Sequence, residues 1–169
     1  APDLMRDAFG EEEGAALYAQ FQKYLFGEMG PPNSVLRSIL PATLQKGGDV
    51  ALAKFFGRET KAFSYTLDNV HRTEQLKIQA GERENPGNEA LYEEASNQAI
   101  GFTLVRMAFN GFAPTSPKFT NLIEPVADEY KHYQRTYGDE GDRYFNEQYG
   151  PLLQYIGSGK GSRSVGGVD

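Results

Sequence analysis

From Leu17 to Ile156, large apolar residues recur at intervals of three and four between glycine and proline marks. Nowhere does a sustained run of β-branched residues alternate with polar ones. A period near 3.6 puts a stripe on one face of an α-helix, whereas a half-buried strand needs a period of two. The chain is therefore expected to be all-α, a compact bundle or orthogonal packing of about six or seven helices.

The marks divide the chain as follows. Pro2 suits the first turn of a short helix that Gly10 closes. Glu11, Glu12 and Glu13 stand where acidic residues face the positive end of a helix dipole. Leu17, Phe21, Tyr24 and Leu25 then share one stripe, which predicts a helix over 12–28. Asn33 or Ser34 can cap a segment through Val35, Leu36, Ile39 and Leu40, which Pro41 kinks or restarts. Gly47-Gly48 is a break, and Asp49 caps a long helix over 49–80 carrying Leu52, Phe55, Phe56, Phe63, Leu67 and Val70, with Gly57 as a soft spot. Asn88 opens the helix Asn88–Phe109, striped by Leu91, Ala95, Ala99, Phe102, Arg106 and Phe109. Its thin middle, Ala95, Ser96, Ala99 and Gly101, permits close approach of another helix.

Phe112, Pro114, Pro117 and Phe119 are expected to form a rigid turn, with both rings buried and the flanking helices pinned together. A helix over 121–137 follows, with Pro125 either kinking it or marking its first turn. Asp139 is expected to cap a short helix with Tyr144, Phe145 and Tyr149 inward, broken at Gly150-Pro151. Leu152, Leu153 and Ile156 make a last apolar patch. Residues 1–156 thus read as one helical domain, and the Gly/Ser-rich 157–169 as a flexible or partner-ordered tail.

Composition removes several chemistries. The 169 residues include no Cys, which excludes disulfide frameworks, thiolate metal sites and Cys nucleophiles. Two histidines, His71 and His132, lack the spacing of helical zinc sites and read as surface or packing residues. A net charge of −6 opposes general nucleic-acid binding, which needs phosphate-neutralising cations. No apolar run approaches the roughly 18 residues of a membrane span. No cofactor is expected, because neither a phosphate-binding glycine loop nor a metal-ligand cluster is legible.

The remaining clusters have ordinary readings. Glu82, Glu84, Glu89, Glu93 and Glu94 gather around one turn as a solvated face and helix start. Tyr130, Tyr133, Tyr137, Tyr144, Tyr149 and Tyr155 resemble a stacking surface, but Asp128, Glu129, Asp139, Glu140 and Asp142 among them would repel phosphate. Tyr144 and Tyr149 are therefore expected at a protein interface, where a tyrosine buries its ring and keeps its hydroxyl wet. Lys160, Arg163, Val165 and Val168 are the tail residues expected to contact a partner.

The stretch Phe112-Ala113-Pro114-Thr115-Ser116-Pro117-Lys118-Phe119 opens an ordered series of motifs. Asp128-Glu129-Tyr130, Gly138-Asp139-Glu140, Asp142-Arg143-Tyr144-Phe145 and Tyr149-Gly150 follow, then the tail ending Ser162-Arg163-Ser164-Val165-Gly166-Gly167-Val168. This series resembles a module of very large virion proteins of tailed actinobacterial phages, of the tape-measure or internal, ejected class. Arg143-Tyr144-Phe145 stands where a Lys-Phe-Leu-like triplet occurs in that pattern, and no aromatic pair follows Tyr149-Gly150. The resemblance covers roughly the C-terminal third and supplies no catalytic residue. It implies a segment of a longer polypeptide in the virion, partnered by other subunits or by the rest of that polypeptide. Three readings stand at this point: a structural, non-catalytic virion segment, a helical peptidoglycan-cleaving domain resting on Glu59 or Glu94, and a stand-alone protein-binding adaptor.

Overall fold

The computed structural model describes residues 2–25, 41–112 and 117–158. Among these residues the fold is all-α, with six α-helices and one 3-10 turn. They are α1 (Pro2–Phe9), α2 (Glu11–Leu25), α3 (Ala42–Gln79), α4 (Asn88–Phe109), α5 (Pro117–Tyr137), the 3-10 turn Gly138–Glu140, and α6 (Gly141–Gly157). No described helix is long and apolar enough to cross a membrane. The expected segment through Val35 to Leu40, and Pro114 of the expected turn, lie outside the described residues.

α4 organises the molecule, with α3 and α6 both packed along it. Leu91, Ala95, Ala99, Phe102, Leu104, Val105 and Met107 are all buried, so this helix has almost no solvated face through its second half. The thin middle works as its residues suggest. A Cβ on Gly101 would lie 2.0 Å from the backbone oxygen of Leu153, so only glycine lets α6 approach this closely. At the other end of the same contact, a Cβ on Gly157 would lie 1.6 Å from the backbone oxygen of Asn97. The two helices are antiparallel, since Gly157 meets Asn97 and Leu153 meets Gly101.

α1 and α2 pair with each other and reach the body through α3. Phe9 and Phe55 both meet Phe112, at ring separations of 6.4 and 5.4 Å. Phe112 and Phe119 are both buried. Phe112 nevertheless packs on α1 and α3, so it ties the N-terminal pair to the body rather than only joining α4 to α5.

Of four marked boundaries, two differ from the sequence expectation and two stand as kinks where it puts them. The Gly47-Gly48 break is where the sequence puts it: Gly48 is non-helical (φ +70°, ψ −163°), so α3 is a short helical stretch over 42–47 joined at a kink to the expected long helix from Asp49. Glycine tolerates that conformation where other residues do not. α5 begins at Pro117, not residue 121: a proline's fixed φ and missing N–H suit the first turn. Asp139 does not cap the last helix; it lies within the 3-10 turn, and Glu140 precedes α6 without a side-chain cap bond. Finally, the break expected at Gly150-Pro151 is present one residue earlier: Tyr149 is non-helical (φ −115°, ψ 16°), and α6 is two helical stretches joined at that kink. The second stretch buries Leu153 and Ile156 completely. Burying each is worth about 1.5–3 kcal/mol, and Pro151 stands in the first turn after the kink, where a fixed φ and a missing N–H are tolerated.

The distal part of α3 departs from the core. From Leu67 to Gln79 no residue is buried, and Leu76 is 57% exposed. This end is tied to α4 by Arg83, which reaches Glu74 at 3.1 Å and Glu94 at 3.0 Å.

Candidate functional site

Arg106 lies on the apolar stripe of α4, and its guanidinium gathers three other helices. Its Nε and Nη2 donate to the two carboxylate oxygens of Glu59 on α3, at 2.9 and 3.1 Å. Its Nη1 donates to the hydroxyl of Tyr130 on α5 at 2.8 Å and to Oδ2 of Asp142 on α6 at 3.0 Å. Tyr130 in turn donates to Oδ1 of Asp142 at 3.4 Å, and Gln134 donates to the same oxygen. The forked pairing with Glu59 is the geometry for which arginine, unlike lysine, is suited. Aromatic rings surround the cluster: Phe102 beneath the guanidinium at 5.5 Å, and Phe109 and Phe145 against Tyr130 at 5.3 and 5.1 Å.

Burial sets the electrostatics. Glu59 is only 2% exposed, so its charge depends on Arg106 for compensation. Burial alone would lower the Arg106 pKa, but the hydrogen bonds and charge of Glu59 reverse this and raise it. Burial raises the Tyr130 phenol well above its ordinary range, opposed by the charge of Arg106. Tyr130 therefore stays protonated and can serve as the donor to Asp142. Burial also raises Asp142 above its ordinary 3.8, again opposed by Arg106.

Asp142 also forms one wall of a groove of about 740 Å³ between α3 and α6. Gln98 of α4 floors it, donating to the backbone oxygen and Oδ1 of Asn146 at 3.4 and 3.3 Å. Tyr65, Asn69, Thr73 and Gln154 line its length with hydroxyls and carboxamides. Such a surface hydrogen-bonds a polar chain in either direction, since amides both donate and accept.

The sequence-derived candidates fall in different places. Tyr144 is half-buried, with its ring 4.6 Å from Tyr137 and the guanidinium of Arg143 4.9 Å above it. Tyr149 is also half-buried, 4.9 Å from Phe145. Both rings therefore pack against the chain itself while keeping part of their surface in solvent. Pro117 opens α5 on the exposed side. Lys160, Arg163, Val165 and Val168 lie outside the described residues. His71 packs its ring against Tyr92 at 6.1 Å, and His132 against Tyr133 at 5.9 Å. Glu94 is paired with Arg83, and Glu59 with Arg106.

Sequence reasoning missed the Arg106 network. Its one visible signal was an arginine at a core position of the α4 stripe, which demands a buried counter-charge from elsewhere in the chain.

The fold and this cluster define an all-α domain whose central helix is cross-braced to three others by one buried arginine. No protein-family model matches the chain, and neither a curated protein nor a solved structure matches it.

Proposed function

We propose that the chain is a structural, non-catalytic helical segment of a larger phage virion protein, of the tape-measure or internal type, acting through protein–protein contacts. Its partners on this reading are other virion subunits or the rest of a longer polypeptide, and its place is the virion. The observation that carries the non-catalytic part is the engagement of Glu59. Both of its oxygens are taken by Arg106. A glycosidase acid must present a labile proton to a cleft, across from a second carboxylate. Glu59 does not line the groove, and Glu94 is bonded to Arg83. The resemblance of the C-terminal third supports the virion part.

Peptide mass spectrometry of the source material tests this directly. The proposal expects peptides that continue beyond Asp169 and that co-purify with virion proteins. A native polypeptide ending at Asp169 and found apart from particles would sink it. The adaptor reading then takes its place, supported by the hydroxyl- and amide-lined groove. Clearing of a peptidoglycan suspension that is lost in Glu59→Gln would instead favour the enzyme.

A further inference from the structure

Lys54, Arg58 and Lys61 occupy positions i, i+4 and i+7 of α3 and so share one face. All three are exposed, and none is paired with an acid among the described residues. Together with Leu44, Ala51 and Gly57 they line a groove of about 480 Å³. Glu59, the acid nearest in sequence, is buried on Arg106 and cannot neutralise this face. Gly57 sits in mid-helix, where glycine is a poor helix former. A Cβ there would meet nothing within 4 Å among the described residues, so packing against those residues does not call for glycine. An open glycine between three cations that have no acidic partner among the described residues suits close approach by another molecule.

The same chain carries the complementary surface at the far end of α3. Around the α3–α4 turn, Glu82, Glu84, Glu89 and Glu93 are exposed and unpaired among the described residues. Arg83, in their midst, is already held by Glu74 and Glu94. Leu76 and Tyr92 are 57% and 56% exposed beside these carboxylates. The turn thus offers acids with apolar side chains, and the groove offers cations with an apolar floor. Arg58 and Gln79 are separated by about 30 Å along one continuous helix, at 1.5 Å per residue. The turn cannot fold back onto its own groove.

We infer that the Lys54–Arg58–Lys61 groove receives the acidic α3–α4 turn of a second copy, so that copies associate head to tail. Contact between two different patches generates a ring if the rotation closes and an open filament if it does not. This inference goes beyond the virion reading and does not depend on it.

The test is sedimentation equilibrium of the full chain at low and high salt, about 0.01 and 1 M, where the screening length is roughly 30 and 3 Å. The wild type should self-associate at low salt and dissociate at high salt. Reversing the groove (Lys54→Glu, Arg58→Glu, Lys61→Glu) or the turn (Glu82→Lys, Glu89→Lys, Glu93→Lys) should each weaken association at least tenfold. Mixing the two reversed variants should restore it, because each then meets an opposite surface. Gly57→Gln should weaken association by occupying the space above the groove floor, at unchanged charge. Retained helicity and a cooperative thermal transition by circular dichroism would show that each variant folds. A wild type that stays monomeric at low salt overturns the inference. So does association that survives either reversal, or a mixture that fails to re-associate. A monomeric wild type leaves the mass-spectrometric test of the virion reading untouched.

Discussion

Arg106 donates to Glu59, Tyr130 and Asp142, so one side chain compensates two carboxylates and fixes a phenol. Removing it leaves Glu59 buried without a counter-charge. Arg106→Met should therefore cost about 3–5 kcal/mol in denaturant unfolding, as for other broken buried pairs. The double change Arg106→Met with Glu59→Leu should recover most of that loss, since an apolar pair removes both desolvated charges. A double mutant no more stable than Arg106→Met would show that the two residues act independently. Asp142 gives a second check. Its pKa is raised in the folded state, first by burial. A raised carboxylate binds its proton more tightly when folded, so its contribution is fully present below the unfolded value. That contribution is lost as pH climbs from about 4 through the higher folded value. The stability of the wild type minus that of Asp142→Asn should accordingly fall with rising pH across this window. A difference that rises instead would mean that Arg106 outweighs burial at this carboxyl.

At the scale of elements, two helical glycines separate two reasons for being small. Gly101 is crowded, because a Cβ would strike the Leu153 carbonyl at 2.0 Å, which is backbone and cannot step aside. Gly101→Ala should force α4 and α6 apart and cost about 1–3 kcal/mol or more, as overpacking does. Gly57 is open, with nothing described within reach of a Cβ. Gly57→Ala should stabilise the chain by about 0.4–1 kcal/mol, through helix propensity and a less flexible unfolded state. Paired thermal melts of the two variants would read opposite signs. Equal destabilisation would show that a neighbouring group packs against α3 at Gly57. The kink in α6 at Tyr149 belongs to this scale too: Pro151 stands in the first turn after it, and the stretch that follows buries Leu153 and Ile156.

For the whole molecule, Phe112 is the point where the N-terminal pair meets the body. Its ring touches Phe55 of α3 and Phe9 of α1, and it is 2% exposed. Phe112→Ala should cost about 3–5 kcal/mol, the usual range for a buried phenylalanine. The loss should also uncouple α1 from the rest, seen as faster amide exchange in α1 and α2 than in α4. Uniformly faster exchange would mean that the two parts unfold as one. Arg106 braces the other half, joining α3, α4, α5 and α6 around a common charge. The core is therefore held by an aromatic joint on one side and a polar one on the other.

The sequence by itself determined the all-α class, the limits of α4 and the thin middle that lets α6 close on it. Periodicity and the positions of small residues are local properties, so they survive reading without a fold. It also placed Phe112 and Phe119 in the interior, since a large ring beside helix ends has few other favourable places. The kinks at Gly48 and beside Gly150-Pro151 were legible as well, since glycine and proline interrupt a helix locally. Only the tertiary structure decided that α5 starts at Pro117 and that Asp139 lies in a 3-10 turn without capping α6. Each of these depends on what distant burial outweighs. The Arg106 cluster was hidden for the same reason. Glu59, Tyr130 and Asp142 are 47, 24 and 36 residues from it along the chain, so spacing carries no trace of their convergence. A buried ion pair is a property of packed helices, because its strength comes from water excluded by residues that the pair itself does not contain.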